Sequence, residues 1–420
     1  MSTGIFGRLA GSLAIARMSR RADRLGRLLQ MLISEKGEAT GATLARRAVA
    51  LYRGLDEGGR LRLFEQLALR FSPDRNAVLA AAHVYHADPS AAHLAVLQRV
   101  VEPPRQEIFR RMNMAPGGTA TLVQLRRELL EAMKAHPELA AVDHDLTHLL
   151  GSWFNRGFLE LKRIDWSTPA SVLEKLIEYE AVHEIRGFPD LKRRLERDRR
   201  CFAFFHPALP GEPLIFVEVA FVNELPSAVA PILAIEGAVG DPRQARCAVF
   251  YSITSCQAGL KGISFGNFLI KQVAEDLHAE LPNLKLFATL SPVPGLRRWA
   301  QQRLGAGLPA SGEPLQALAA WYLTREWGEG HAVDPVARFH LGNGARLERI
   351  NPHADGSPKG EKQSFGIMVN YVYDLAEVER NHEEYVNRHR VVCSGAVEKL
   401  ARAAEPLLAA AAAPAPTAQR

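Results

Sequence analysis

Residues 247–299 allow few folds. The first seven, CAVFYSI, are apolar and β-rich and read as a strand. The glycine-studded turn Gln257-Ala-Gly-Leu-Lys-Gly262 follows, then a helix predicted over about 265–280 with Leu269, Val273 and Leu277 on one face. A second apolar run, 284–290, ends at the turn Ser291-Pro-Val-Pro-Gly295. Glycines between a strand and a helix let backbone amides approach a ligand. The first N–H groups of the helix lack internal partners and carry partial positive charge. Together they make a phosphate site. The alternative is glycine placed there for steric reasons alone.

Four motifs occur in order. They are Q-x-G-L-x-G-I-S-F-G-N-F-L-I-K from Gln257, L-S-P-V-P-G from Leu290, Asp334-Pro-Val-Ala-Arg-Phe-His-Leu-Gly-Asn-Gly-Ala345, and Met368-Val-Asn-Tyr-Val-Tyr373. With Asn113-Met-Ala-Pro-Gly-Gly-Thr119 before them, this series resembles malonyl-CoA decarboxylase, from about Asn113 to Tyr385. The resemblance implies an α+β chain: an all-α helical bundle over 1–156, then a mixed α/β catalytic domain over 157–408 similar to acyl-CoA acetyltransferases (GNAT). Gly259 sits one position earlier than the first glycine of the acetyltransferase loop.

The resemblance implies a carboxy-lyase that takes malonyl-CoA to acetyl-CoA and CO2. Loss of CO2 leaves a carbanion conjugated to the thioester carbonyl. Hydrogen-bond donors aimed at that oxygen stabilise it, each worth roughly 2.7–4 kcal/mol. A general acid then protonates carbon, and His is the default. The thioester is itself the electron sink, so no metal, flavin or pyridoxal is called for. Ser291 and His340 are implied as the catalytic pair, His340 as proton donor and Ser291 as its polar partner. Lys261, Gly262, Ile263, Ser264, Phe265, Gly266 and Asn267 are implied as the CoA-binding segment, with Ile270 on the next turn. Tyr373 is implied as a third polar group. Taken alone, a Ser before Pro is usually a turn residue. A His between Phe339 and Leu341 is usually structural, and a Tyr on an apolar strand usually belongs to the core. Two other functions stay open on the residues: an acyltransferase using acyl-CoA, and a non-catalytic acyl-CoA-binding protein.

The 420 residues suffice for two domains, and 47% hydrophobic content supports ordinary cores. Lys and Arg number 52 against 46 Asp and Glu, a net of +6. That balance suits an anionic ligand such as a CoA ester, and the basic-aromatic stripes of a nucleic-acid reader are not evident. No apolar run reaches the ~18 residues that span a bilayer. Cys201, Cys247, Cys256 and Cys393 lack metal-ligand spacing and read as reduced thiols, with Cys256 beside the loop as a redox candidate. The Arg-rich start reads as a basic first helix, the alternative being a transit peptide. The Ala/Arg bias points to the bacterial cytoplasm.

Residues 20–150 carry helical repeats such as Leu25, Leu28, Leu29, Leu32 and Leu94, Leu97, Val101, broken at Pro and Gly. Thr119 is expected to N-cap a helix over 122–134. The bundle is expected to support homo-oligomers, as the resemblance implies. His144-Asp-Leu-Thr-His148 imitates a metalloprotease helix, but Asp replaces the basic Glu, so surface or packing histidines are expected. Residues 159–200 read as connecting helices. Within them Tyr179-Glu-Ala-Val-His183 reads as a bridge between domains, with a site wall as the alternative. Runs at 201–205, 214–222 and 245–253 read as strands, as do 346–350 and 365–373. Residues 409–420 read as a disordered Ala/Pro tail.

Overall fold

The computed structural model describes residues 21–35, 37–263, 269–309, 311–328 and 330–412. Residues 1–20 of the Arg-rich start, loop residues Ser264, Phe265, Gly266 and Asn267, and tail residues 413–420 lie outside them, while residues 21–30 of that start belong to the first helix. The chain divides into two compact units. One holds Met1–Glu160 with His206–Glu212 and Gln257–Phe265; the other holds Leu161–Phe205, Pro213–Cys256 and Gly266–Arg420.

The first unit is helical: α1 (21–34), α2 (Glu38–Arg53), α3 (Glu57–Leu69), α4 (Arg75–Ala87), α5 (Ala91–Val101), α6 (Pro104–Asn113), α7 (Gly118–Ala132) and α8 (Ala140–Trp153). Leu25, Leu28, Leu29 and Leu32 are all buried, as their spacing requires. The α4–α5 pair departs from this pattern. Ala81 is the only buried residue of α4, and α5 buries none. Leu79, Val84, Leu94, Val96 and Val101 stay exposed.

The start of α7 corrects the expected cap. Gly117, at φ +68°, is the N-cap, and Thr119 lies inside the helix, its hydroxyl donating to Asn113 Oδ1 (2.8 Å). A Cβ on Gly118 would meet Met112 O at 1.8 Å, so two glycines are needed where α7 turns off α6. On α8, His144 and His148 face solvent while Asp145 between them is buried against Arg105 and Gln106. The carboxylate is therefore turned into the unit and the imidazoles out of it.

Among the described residues of the second unit, eight strands form one sheet. In chain order they are β1 (Glu160–Ile164), β2 (Arg199–Phe205), β3 (Ile215–Val222), β4 (Cys247–Ser255), β5 (Leu286–Thr289), β6 (Ser291–Pro292), then β9 (Arg346–Asn351) and β10 (Met368–Tyr373). β7 (Trp327–Gly328) and β8 (His331–Ala332) pair separately. The spatial order is β1-β2-β3-β4-β5-β10-β6, with β9 also on β10. β4 and β5 are parallel; the other pairings described are antiparallel. A parallel pair needs a crossover, and the helix read between these strands supplies it.

The helices of this unit are α9 (Ala170–Tyr179), α10 (Phe188–Arg194), α11 (Ala230–Leu233), α12 (Leu269–Glu280), α13 (Leu296–Leu304), α14 (Glu313–Arg325), α15 (Pro335–Gly342), α16 (Pro358–Ser364), α17 (Val378–Arg388), α18 (Gly395–Ala403) and α19 (Glu405–Ala412). β1 corrects the all-helical reading of 159–200. Its residues are mostly exposed, so its sequence lacks the apolar alternation of a half-buried strand. The end of α19 also runs into the stretch read as a disordered tail.

Candidate active site

β10 alternates its side chains, so Val369, Tyr371 and Tyr373 share one face. β6 pairs with β10 with Ser291 opposite Val369, which places the Ser291 hydroxyl on that face. Pro292 has no N–H to give the ladder and suits the two-residue edge strand. Thr289, two residues before Ser291, points the same way, and Leu290 between them enters the core on the other side. Two motifs far apart in the chain thus supply one surface by β-pairing alone.

α15 carries His340 over that surface. Asp334 caps the helix: its Oδ1 accepts from the N–H groups of Val336 (2.9 Å) and Ala337 (3.1 Å). Pro335 holds the first helical position, where no N–H is missed. The same carboxylate accepts from Gly295 N–H (3.3 Å), in the turn after Ser291. A Cβ on Gly295 would lie 2.2 Å from Tyr322 Oη, so only glycine fits there. Burial pushes the Asp334 carboxyl above its usual range, against four hydrogen bonds that pull it down.

His340 Nε2 lies 3.0 Å from Ser291 Oγ, and its Nδ1 lies 2.8 Å from Tyr373 Oη. Its ring stacks on Tyr371 at 4.6 Å between centroids. The proton positions follow from the partners. Ser291 Oγ donates its one proton to Thr289 Oγ1 (2.8 Å), which also accepts from Tyr371 N–H (3.2 Å). Ser291 therefore accepts from His340, which carries its proton on Nε2, and Tyr373 donates to Nδ1. His340 ends a helix, where the dipole favours a cation by at most ~2 kcal/mol. Desolvation outweighs that: burial pushes the imidazole down to about 3, so it is neutral.

A pocket of about 230 Å³ opens on Ser291 and His340. Phe250, Ile253, Val336 and Phe339 give it apolar walls, and Val182 closes part of it. Of the expected site residues, the structure brings Ser291, His340 and Tyr373 together. Ile270 is buried in α12. Lys261 and Gly262 are exposed and Ile263 is buried, in the first unit. There Gly259 has a steric reason as well. Its Cβ would meet Val123 O at 1.9 Å, so the loop lies backbone to backbone on α7. Arg126 holds the loop by donating to the carbonyls of Gly259 (2.9 Å) and Lys261 (2.8 Å), while its Nε pairs with Asp143 (2.7 Å).

Thr289, Tyr371 and Asp334 complete the arrangement, and sequence reasoning missed all three. Each had a signal. Thr289 and Tyr371 stand two residues before a site residue on a strand, hence on its face. Asp334-Pro335 is a helix-start signature five residues before His340. Among the described residues no group of three or more His, Cys, Asp or Glu side chains is placed to hold a metal ion. Nor is any helix long and apolar enough to cross a membrane.

Comparison with known proteins gives a consistent family. The model of the malonyl-CoA decarboxylase C-terminal domain matches residues 157–311 and 310–411, and that of the N-terminal domain matches 71–154. The chain is 34% identical over 406 residues to the mitochondrial malonyl-CoA decarboxylase of Anser anser anser, covering 82% of this chain and 81% of that one. Identity to the Rattus norvegicus protein of the same name is also 34%, covering 82% of each. The crystal structure of malonyl-CoA decarboxylase from Rhodopseudomonas palustris superposes with a TM-score of 0.85 at 47% identity, covering 90% of this chain and 99% of that one. The Agrobacterium vitis structure gives 0.84 at 46% identity, with coverage of 90% and 99%.

Proposed function

Because the chain belongs to the malonyl-CoA decarboxylase family, we propose that it converts malonyl-CoA to acetyl-CoA and CO2 with His340 as proton donor and Ser291 as its polar partner. The observation that carries the site assignment is the Ser291–His340–Tyr373 chain of hydrogen bonds at the floor of an apolar pocket. The bond between C2 and the carboxylate breaks, and its electron pair moves into the thioester as an enolate. Apolar walls make a carboxylate costly to hold and neutral CO2 cheap to form. The Nε2–H of His340, which points at the Ser291 hydroxyl, passes to C2, and the imidazolate left behind takes a proton from solvent and is neutral again. Tyr373 holds the tautomer that puts the proton on that nitrogen.

The CoA handle is assigned to Lys261–Asn267 with Ile270, a segment whose beginning Arg126 fixes through two carbonyls. Residues 157–408 form the catalytic domain in this reading, and residues 1–156 the association domain. The exposed apolar side chains of α4 and α5 support self-association, which light scattering of the purified protein tests. The bacterial relatives support a cytoplasmic setting. The decisive experiment is CO2 release from malonyl-CoA with acetyl-CoA identified as product. Ser291→Ala and His340→Ala are each expected to lower turnover at least ~100-fold. Wild-type rates in both variants refute the site.

A further inference from the structure

Of the residues that line the pocket at Ser291 and His340, all but one belong to β3, β4, β6 or α15. The exception is Val182, in the irregular segment between α9 and α10. Such a segment ordinarily yields to a ligand, because its backbone groups are not tied into a ladder. This one is tied by side chains. Val182 N–H donates to Glu180 Oε1 (2.7 Å), and Lys359 donates to the Val182 carbonyl (3.3 Å). The neighbouring groups are held the same way. His183 N–H donates to Glu180 Oε1 (2.7 Å), Lys359 donates to the Ala181 carbonyl, and Arg194 donates to the carbonyls of His183 (2.9 Å) and Glu184 (3.1 Å). Glu180 in turn accepts from Ser252 Oγ (2.8 Å) and Thr254 Oγ1 (3.2 Å) on β4. Three charged side chains thus fix the peptide groups on both sides of one half-buried valine.

A wall that does not give selects by size. We propose that Val182 is a specificity-determining residue: it fills the space beside C2 of the bound acyl group and so bars a methyl branch there, favouring malonyl-CoA over methylmalonyl-CoA. This rests on the decarboxylase reading above. Val182 lines the same pocket of about 230 Å³ as Ser291 and His340, so it faces a group seated on them. One methylene more or less in such a pocket changes selectivity about 10- to 200-fold. With a branched substrate the chemistry is unchanged. The C2–carboxylate bond breaks, the electron pair enters the thioester, C2 takes a proton, and CO2 and propionyl-CoA leave.

The test is kcat/KM for malonyl-CoA and racemic methylmalonyl-CoA with the wild type, Val182→Ala and Val182→Leu. The ratio of methylmalonyl to malonyl turnover is expected to rise at least ~10-fold in Val182→Ala and to fall at least ~10-fold in Val182→Leu. The two variants act in opposite directions, so failure of one to fold leaves the other decisive. Ratios within about twofold of wild type, with malonyl-CoA turnover retained, overturn the inference alone. A wild type that consumes neither ester overturns the decarboxylase reading and this inference with it.

Discussion

Acidification tests the protonation state assigned to His340. The folded protein holds this imidazole neutral down to about pH 3, against an ordinary value of 6.5. At pH 5 about 97% of such side chains are protonated in the unfolded chain and about 1% in the folded one. Acid therefore favours the unfolded chain. The contribution is whole above about 6.5 and is lost progressively as pH falls from there toward about 3. The loss at pH 5 is RT ln(1 + 10^1.5), about 2 kcal/mol, and any folded value below about 4 gives the same figure. His183, pushed down to about 4 by burial, loses stability in the same range, so the variant His340→Gln is needed to isolate one share. Urea unfolding at pH 8 and pH 5 should show wild type losing about 2 kcal/mol more than His340→Gln. Nitrogen-15 spectra should show Nε2–H and bare Nδ1 at both pH values, and kcat/KM should show no inflection near 6.5 from this group. Equal losses in both proteins, or a titration of His340 near 6.5, would refute the neutral donor.

Three further outcomes follow from the same contacts. Tyr373→Phe leaves Nδ1 of a buried imidazole unpartnered, which costs ~1–3 kcal/mol of stability. It should also lower kcat about 10- to 100-fold, with nitrogen-15 spectra showing mixed tautomers. Asp334→Ala removes a cap worth ~0.5–2 kcal/mol and should lower kcat more than it changes KM, while Asp334→Asn, which keeps one accepting oxygen for the α15 cap but none for Gly295 N–H, should recover the cap's stability and leave kcat lowered. Gly259→Ala drives a methyl group into the α7 backbone at Val123 and should cost ~1–3 kcal/mol, read as a lower melting temperature; an unchanged melt would contradict the close approach.

What was legible in the sequence depended on where each element draws its stability. β4, α12 and β5 bury apolar side chains by their own periodicity, so they could be read: α12 ends at Glu280 as expected, and the ends of β4 and β5 lie within two residues of the expected ones. β1 could not. Four of its five residues are exposed or half-buried, and its place comes from pairing at the sheet edge, which no local pattern records. α5 shows the converse. Leu94, Leu97 and Val101 keep perfect helical spacing, yet Leu94 and Val101 are exposed, because spacing fixes a face and not what covers it. The motif Tyr179–His183 reads in sequence as a bridge between domains. Its pocket-lining residue is the apolar Val182, whereas the polar Glu180 acts behind it as a clamp.

Ser291 and His340 show why motif and geometry carry separate information. Neither residue has a local sign of chemistry; one precedes a proline and the other sits between Phe339 and Leu341. Their 3.0 Å contact requires two long-range agreements. β6 must pair with β10 in the register that sets Ser291 opposite Val369, since a shift of one residue would turn the hydroxyl to the other face. α15 must also start at a fixed height above that strand. Asp334 supplies the second agreement, because one carboxylate accepts from the first turn of α15 and from the turn that follows Ser291. Burial raises the cost of leaving either set of N–H groups unpaired, so the two turns cannot drift independently. The separation of hydroxyl and imidazole is thus governed by a capping residue that touches neither of them.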